Sequence, residues 1–162
     1  MALELNGTTG VSLVQDGVIT DANLPTGSVL QVVNGTTNTE ASSTTSSYAD
    51  TGLSASITPT SSSSKILVLV GQRLFCNNPA GNGGGYLKLM RDSTDLVLAD
   101  RIGLSDDTGA MDVYFSTAYL DSPATTSSVT YKTRFGRNAS SGTVFVQLSS
   151  ARATITLMEI AG

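Results

Sequence analysis

Residues 39–70 read TEASSTTSSYADTGLSASITPTSSSSKILVLV, a polar run rich in serine and threonine that turns abruptly into an apolar strand. If the polar part is a linker, the chain is a tail with a small core. If it is folded, the chain is one β protein. Leu53, Ala55 and Ile57 recur at every second residue, with Ser54, Ser56 and Thr58 between them. Period two places the apolar set on one face of a strand and the polar set on the other. Threonine favours strands, and serine is tolerated on a solvent face. The stretch is therefore read as a strand with one wet face. Pro59 ends it, and Thr60–Ser64 form the turn into the next strand.

The same texture continues in both directions. GSVLQVVN, residues 27–34, is rich in β-branched residues and ends at Asn34–Gly35, a turn dipeptide. SKILVLVGQRLF, residues 64–75, is apolar on both alternations between Ile66 and Val70, which predicts a strand covered on both faces. Residues 85–92 and 95–100 flank a short hairpin turn. Val129, Tyr131, Thr133 and Phe135 alternate with Thr130, Lys132 and Arg134, a half-buried strand. Further β-prone runs are MDVYFSTAYL, GTVFVQL and RATITLMEI. No long 3.6-residue apolar period with caps interrupts them. About eight strands at this spacing predict an all-β fold, a jelly-roll β-sandwich. Serine and threonine on its outer faces account for a charged fraction of only 14% beside 40% hydrophobic residues.

Residues 1–27 differ from the rest. Short β-prone pieces sit between turn dipeptides such as Asn6–Gly7 and Asp16–Gly17, and none is long enough to bury a core. Leu24–Gly27 reads as a hinge, with Pro25 fixing one backbone angle. The expected division is an N-terminal attachment arm, 1–27, and a head domain, 28–162.

Composition excludes more than it suggests. There is no histidine and one cysteine, Cys76, so no internal disulfide, no His/Cys zinc site and no Ser-His-Asp or Cys-His pair can form within one chain. Glu4, Glu40 and Glu159 are the only glutamates, and none has the context of a glycosidase pair. The expectation is no enzymatic activity, no catalytic residue and no cofactor. Net charge is −4 with no basic patch, which argues against nucleic acid. The first twenty residues lack the charged and apolar regions of a secretory signal, and no segment approaches the roughly 20 apolar residues that span a bilayer. A protein made in a cytoplasm, without membrane insertion, is expected. The aspartates at 92, 95, 100, 106, 107 and 112 match no EF-hand spacing and are read as turn residues, so no metal site is assigned. Cys76 is read as a small buried hydrophobe.

Two polar stretches interrupt strong strands, residues 77–85 and 103–110. They are the candidate recognition loops, with Asn77, Asn78, Asn82, Asp106 and Asp107 as groups able to bond sugar hydroxyls. The bland reading of both stretches is ordinary turns.

GSVLQVVN, SYADTGLSASITPTSSSSKILVLV, LKLMRDSTDLVLAD, YLDSPATTSSVTYKTRFG and the ending ATITLMEIAG together resemble a family of tail fibre proteins from tailed phages of marine bacteria, cyanobacteria included. The likeness covers residues 28–162, and the arm resembles the openings of such proteins less specifically. It implies a virion component, assembled in the host cytoplasm, whose head is a jelly roll of the C1q or tumour-necrosis-factor type that forms homotrimers. It carries over no catalytic residue. Shaft repeats of long fibres are absent, so a short tail fibre or spike is the expectation. The partners are further copies of itself, other virion proteins through residues 1–27, and a host surface glycan. The rivals are a capsid decoration protein, a carbohydrate-binding module and, in a third class, a depolymerase.

Overall fold

The protein is described by a computed structural model at residues 24–78, 83–105, 109–138 and 141–162. These residues form β1 Val29–Thr37, β2 Ala41–Ser43, β3 Ala49–Ile57, β4 Lys65–Asn78, β5 Gly83–Arg91, β6 Thr94–Ser105, β7 Gly109–Asp121, β8 Val129–Arg137, β9 Thr143–Val146 and β10 Ala153–Ile160. All strand pairs are antiparallel, and they make two sheets.

One sheet runs β3-β8-β5-β6. The other is organised around β4. Residues 65–71 of β4 pair with β10 and residues 74–77 pair with β9, while β7 pairs along almost its whole length. A strand has two edges, so β9 and β10 share one and β7 takes the other. β9 and β10 are thus one row, broken at 147–152 by a tight turn that holds Gln147, Ser149 and Ser150 at positive φ. β1 pairs with β10 and β2 with β9, giving a second composite row. Merging these rows leaves two sheets of four, and the chain crosses between them at most connections. β5 and β6 are the hairpin within one sheet, turning at Asp92–Ser93 as the sequence predicts. The protein is an all-β sandwich with jelly-roll connectivity.

The alternation in residues 49–57 is realised fully. Thr51, Leu53, Ala55 and Ile57 point into the sandwich and their neighbours face water. Tyr131, Thr133 and Phe135 of β8 are wholly buried, and Val129 nearly so.

Two readings are corrected. Asn34–Gly35 does not end a strand; it lies within β1, opposite Thr156 and Ile155. Gly35 is there for clearance, since a Cβ would run into the Ser54 carbonyl oxygen on the facing sheet. The second correction concerns β4. Ile66, Val68 and Val70 are buried, but Leu67 is only half-buried and Leu69 is exposed. Among the described residues, the strand is covered on a single face.

The core has two apolar parts. Leu53, Ile57, Ile66, Val68, Tyr131, Ile155 and Leu157 belong to the larger. Leu74, Cys76, Leu87, Phe135, Val144 and Val146 form the smaller. Between them lies a buried polar layer. The Thr133 hydroxyl donates to Gln72 Oε1 across the sheets at 2.8 Å and stands 2.6 Å from the Thr51 hydroxyl. Thr51 Oγ1 also accepts from the Leu53 N–H at 3.1 Å.

Candidate functional site

The sandwich has two unlike ends. At one end, the Gly27 N–H donates to the Ala161 carbonyl and the Ala161 N–H to the Ser28 carbonyl, both at 2.8 Å. The described chain thus enters and leaves side by side. Turns 58–64, 92–93 and 122–128 share this end, because β3, β5 and β7 finish there and β4, β6 and β8 begin there.

The opposite end gathers the other connections. Asn78 at the close of β4 pairs with Gly109 at the start of β7, and Gly83 at the start of β5 pairs with Ser105 at the close of β6. The Arg137 N–H donates to the Thr45 carbonyl and the Asn138 N–H to the Gly84 carbonyl, each at 2.8 Å, which brings β2–β3 and β8–β9 connections to the same place. Asn77 is exposed on β4, on the outward alternation, and Asn78 is the last residue of that strand. Asn82, Asp106 and Asp107 lie outside the described residues. The strands that flank them are paired neighbours, so both sequence-predicted stretches depart from one end of the molecule.

Of the other aspartates singled out by sequence, Asp95, Asp100 and Asp112 lie within β6 and β7 rather than in turns, and Asp92, Asp95 and Asp112 have local partners. Asp92 Oδ1 accepts from the Thr130 N–H at 3.0 Å, and Asp95 pairs with Lys88 at 2.8 Å. Asp112 receives two bonds from Arg73, whose Nη1 also donates to the Leu148 carbonyl at 2.7 Å across the break between β9 and β10. That hydrogen-bonded guanidinium holds the Asp112 carboxyl below its ordinary value. Among the described residues, no cluster of acidic or thiol side chains could hold a metal ion. Cys76 is buried, and burial pushes its thiol up to about 11, where it is protonated and inert at neutral pH.

Sequence reasoning missed two buried acids at the end where the chain enters. Glu159 accepts from Gln31 Nε2 at 2.6 Å, from the Thr60 N–H at 2.7 Å and from the Thr60 hydroxyl at 2.8 Å. Burial alone would raise its pKa, but these donors outweigh it and hold the carboxyl below the usual range. Asp121 Oδ2 accepts from Tyr131 Oη at 2.7 Å and from Arg91 Nη1 at 2.6 Å. Burial, then the bond to Asp121, raises the Tyr131 phenol. A signal was present. Glu159 occupies the apolar alternation Ala153, Ile155, Leu157, as Gln72 does in β4. A polar residue on the apolar phase of a strand is one that the fold must satisfy internally.

No known protein family matches the chain, and no curated protein matches it. Several solved structures are similar in shape. Dimeric latent PorU from Porphyromonas gingivalis is 10% identical with a TM-score of 0.42, covering 85% of this chain and 13% of that one. The infectious bursal disease virus VP2 subviral particle is 14% identical with a TM-score of 0.40, covering 83% of this chain and 39% of that one. The Gx strain of the same virus gives 17%, 0.38, 82% and 37% respectively. This chain therefore spans well under half the length of each. Likeness at this level says nothing about function.

Proposed function

We propose that the chain is a virion structural protein of a tailed phage, a short fibre or spike that works as a homotrimer. Residues 1–27 attach it to the particle and the head projects. Its action is binding and assembly, without chemistry. The observation that carries this reading is the polarity of the head. The chain enters beside Ala161 at one end, while the strand ends at Asn78, Gly83, Ser105 and Gly109 stand at the other. A particle attached through the arm would thus present residues 77–85 and 103–110 outward, toward a host surface glycan. The sequence resemblance to marine phage fibre proteins points the same way.

Labelling the chain on intact particles and imaging them by electron microscopy tests the reading. Signal at the tail with few copies is expected, and deletion of residues 1–27 should abolish it. Signal over the whole capsid surface identifies a decoration protein instead, and absence from particles rejects a virion role. Host contact is tested by replacing Asn78, Asn82, Asp106 and Asp107 together with Ala. Lost adsorption to host cells with unchanged thermal stability is expected, and unchanged adsorption removes recognition from these loops.

A further inference from the structure

The buried polar layer has hydrogen-bonding capacity left over on one side. Val146 pairs with Leu74 and Thr154 with Gly71, so the break at 147–152 stands directly beside Gln72 and Arg73 of β4. Arg73 points outward and fastens the break there, donating to the Leu148 carbonyl. Gln72 points inward and is wholly buried, and so is Gln147, the first residue of the break. Gln72 Oε1 accepts from the Thr133 hydroxyl, but its Nε2 meets no acceptor, and Gln147 has no partner at either Nε2 or Oε1. The threonines have no proton to spare for Gln147. Thr133 gives its hydroxyl proton to Gln72, and Thr51 gives its own to Thr133, at the hydroxyl or the carbonyl oxygen. A buried amide without partners is destabilising, and Gln147 stands in a strained segment besides, since Gln147, Ser149 and Ser150 all hold positive φ without being glycine.

We propose that Gln72 and Gln147 together bind an internal water molecule that is a fixed part of the fold. This goes beyond the reading above and does not depend on it. The inventory of donors and acceptors selects the ligand. Whatever joins these two amides must accept from their N–H groups and donate to the Gln147 carbonyl oxygen. Water does both, and a buried water makes about three such bonds. A metal ion needs several oxygen ligands and would find one amide oxygen free, Gln147 Oε1. An anion would enter a layer built of amides and hydroxyls, with no buried cation to offset its charge. A direct bond between the amides would meet part of the need, and Gln72 and Gln147 make none. The bound water ties β4 to the break from inside the sandwich, as Arg73 on Leu148 ties it from outside. The left-handed backbone at Gln147 is then held from both sides.

High-resolution crystallography and NMR on the full-length chain test this. Density for an oxygen at hydrogen-bond distance, about 2.7–3.2 Å, from both Gln72 Nε2 and the Gln147 amide is expected. In solution, the side-chain NH2 groups of Gln72 and Gln147 should cross-relax with water, with the sign of a long-lived contact. Exchange of the Thr133 hydroxyl proton can imitate the signal at Gln72 but not the density, so the two are read together. Gln147→Leu should abolish the water signal at Gln72 while the backbone spectrum stays native. If that variant does not fold, Gln147→Met, which keeps the length of the side chain, takes its place, and the wild-type density decides without either. A dry layer, a direct Gln72–Gln147 amide pair, or a water signal at Gln72 unchanged by the loss of Gln147 overturns the site.

Discussion

The outer face of the β3-β8-β5-β6 sheet holds Asp50 between Lys132 at 3.4 Å and Arg134 at 3.1 Å, with Lys88 on Asp95 and 4.3 Å from the Tyr48 ring centroid. On the other sheet, at the end where the chain enters, the outward row is Val32, Met158, Leu67 and Leu120, and the polar groups Gln31, Glu159 and Asp121 face the interior. One sheet thus keeps Asp50 and Asp95 where water already solvates them, with Lys88 covered beneath its partners on the same outer face. The other buries its acids and fastens them with hydrogen bonds. The same residue types are worth different amounts in the two places. A surface ion pair gains little over its hydrated partners, while a buried carboxylate that loses its donors is left in a poor solvent.

The largest effect should come from Asp121. Replacing it with Ala strands the Tyr131 hydroxyl and the Arg91 guanidinium, and should cost about 3 kcal/mol, the low end for a buried pair because Arg91 still reaches water. Urea unfolding at fixed protein concentration measures it. A loss under about 1 kcal/mol would mean that inward charges here are worth no more than outward ones.

Glu159 tests the same point through pH. In the unfolded chain a glutamate titrates near 4.3. Its folded pKa is lower, so its contribution is complete above the unfolded value and is lost as pH falls through the folded one. Stability should therefore drop below about pH 4.3. Glu159→Gln should cost about 1–2 kcal/mol at pH 7 and flatten that acid limb. An identical acid limb in the variant would assign acid sensitivity to other carboxylates.

Asp50→Ala should have the smallest effect, about 0.5 kcal/mol or less, because the carboxylate is 60% exposed and its partners stay hydrated. The difference should vanish in 1 M salt, where the Debye length is about 3 Å. A larger loss that persists in salt would show that this face is not simply a solvated one.

Much of this contrast was legible in residue order, and some was not. Alternation at Leu53, Ala55 and Ile57, and at Val129 through Phe135, gave inside and outside correctly, because a strand's side-chain period is fixed by its backbone. Asn34–Gly35 was misread because a glycine needed for close approach looks identical, in one dimension, to a glycine needed for a turn. The double apolar alternation of Ile66–Val70 predicts cover on both faces, and the described residues supply one. Glu159 and Asp121 were overlooked because their donors, Gln31, Thr60, Arg91 and Tyr131, lie on other elements. The loop end shows the same limit. Asn77 and Asn78 could be flagged from composition, but that both polar stretches leave from one end follows only from strand pairing.

The layer of Gln72, Thr133 and Thr51 bears on how the chain finds one arrangement among near copies of it. Sliding β4 by two residues against its neighbours would keep Ile66, Val68, Val70, Leu74 and Cys76 facing inward, so hydrocarbon burial hardly separates the slipped and correct pairings. The amide does separate them. After such a slip Gln72 would stand among leucines and valines with no hydroxyl across from it, and Thr133 would face a side chain that cannot accept its proton. The layer works as a key cut into an otherwise smooth shaft, and a chain carrying Leu at all three positions should populate misaligned forms that the natural sequence avoids.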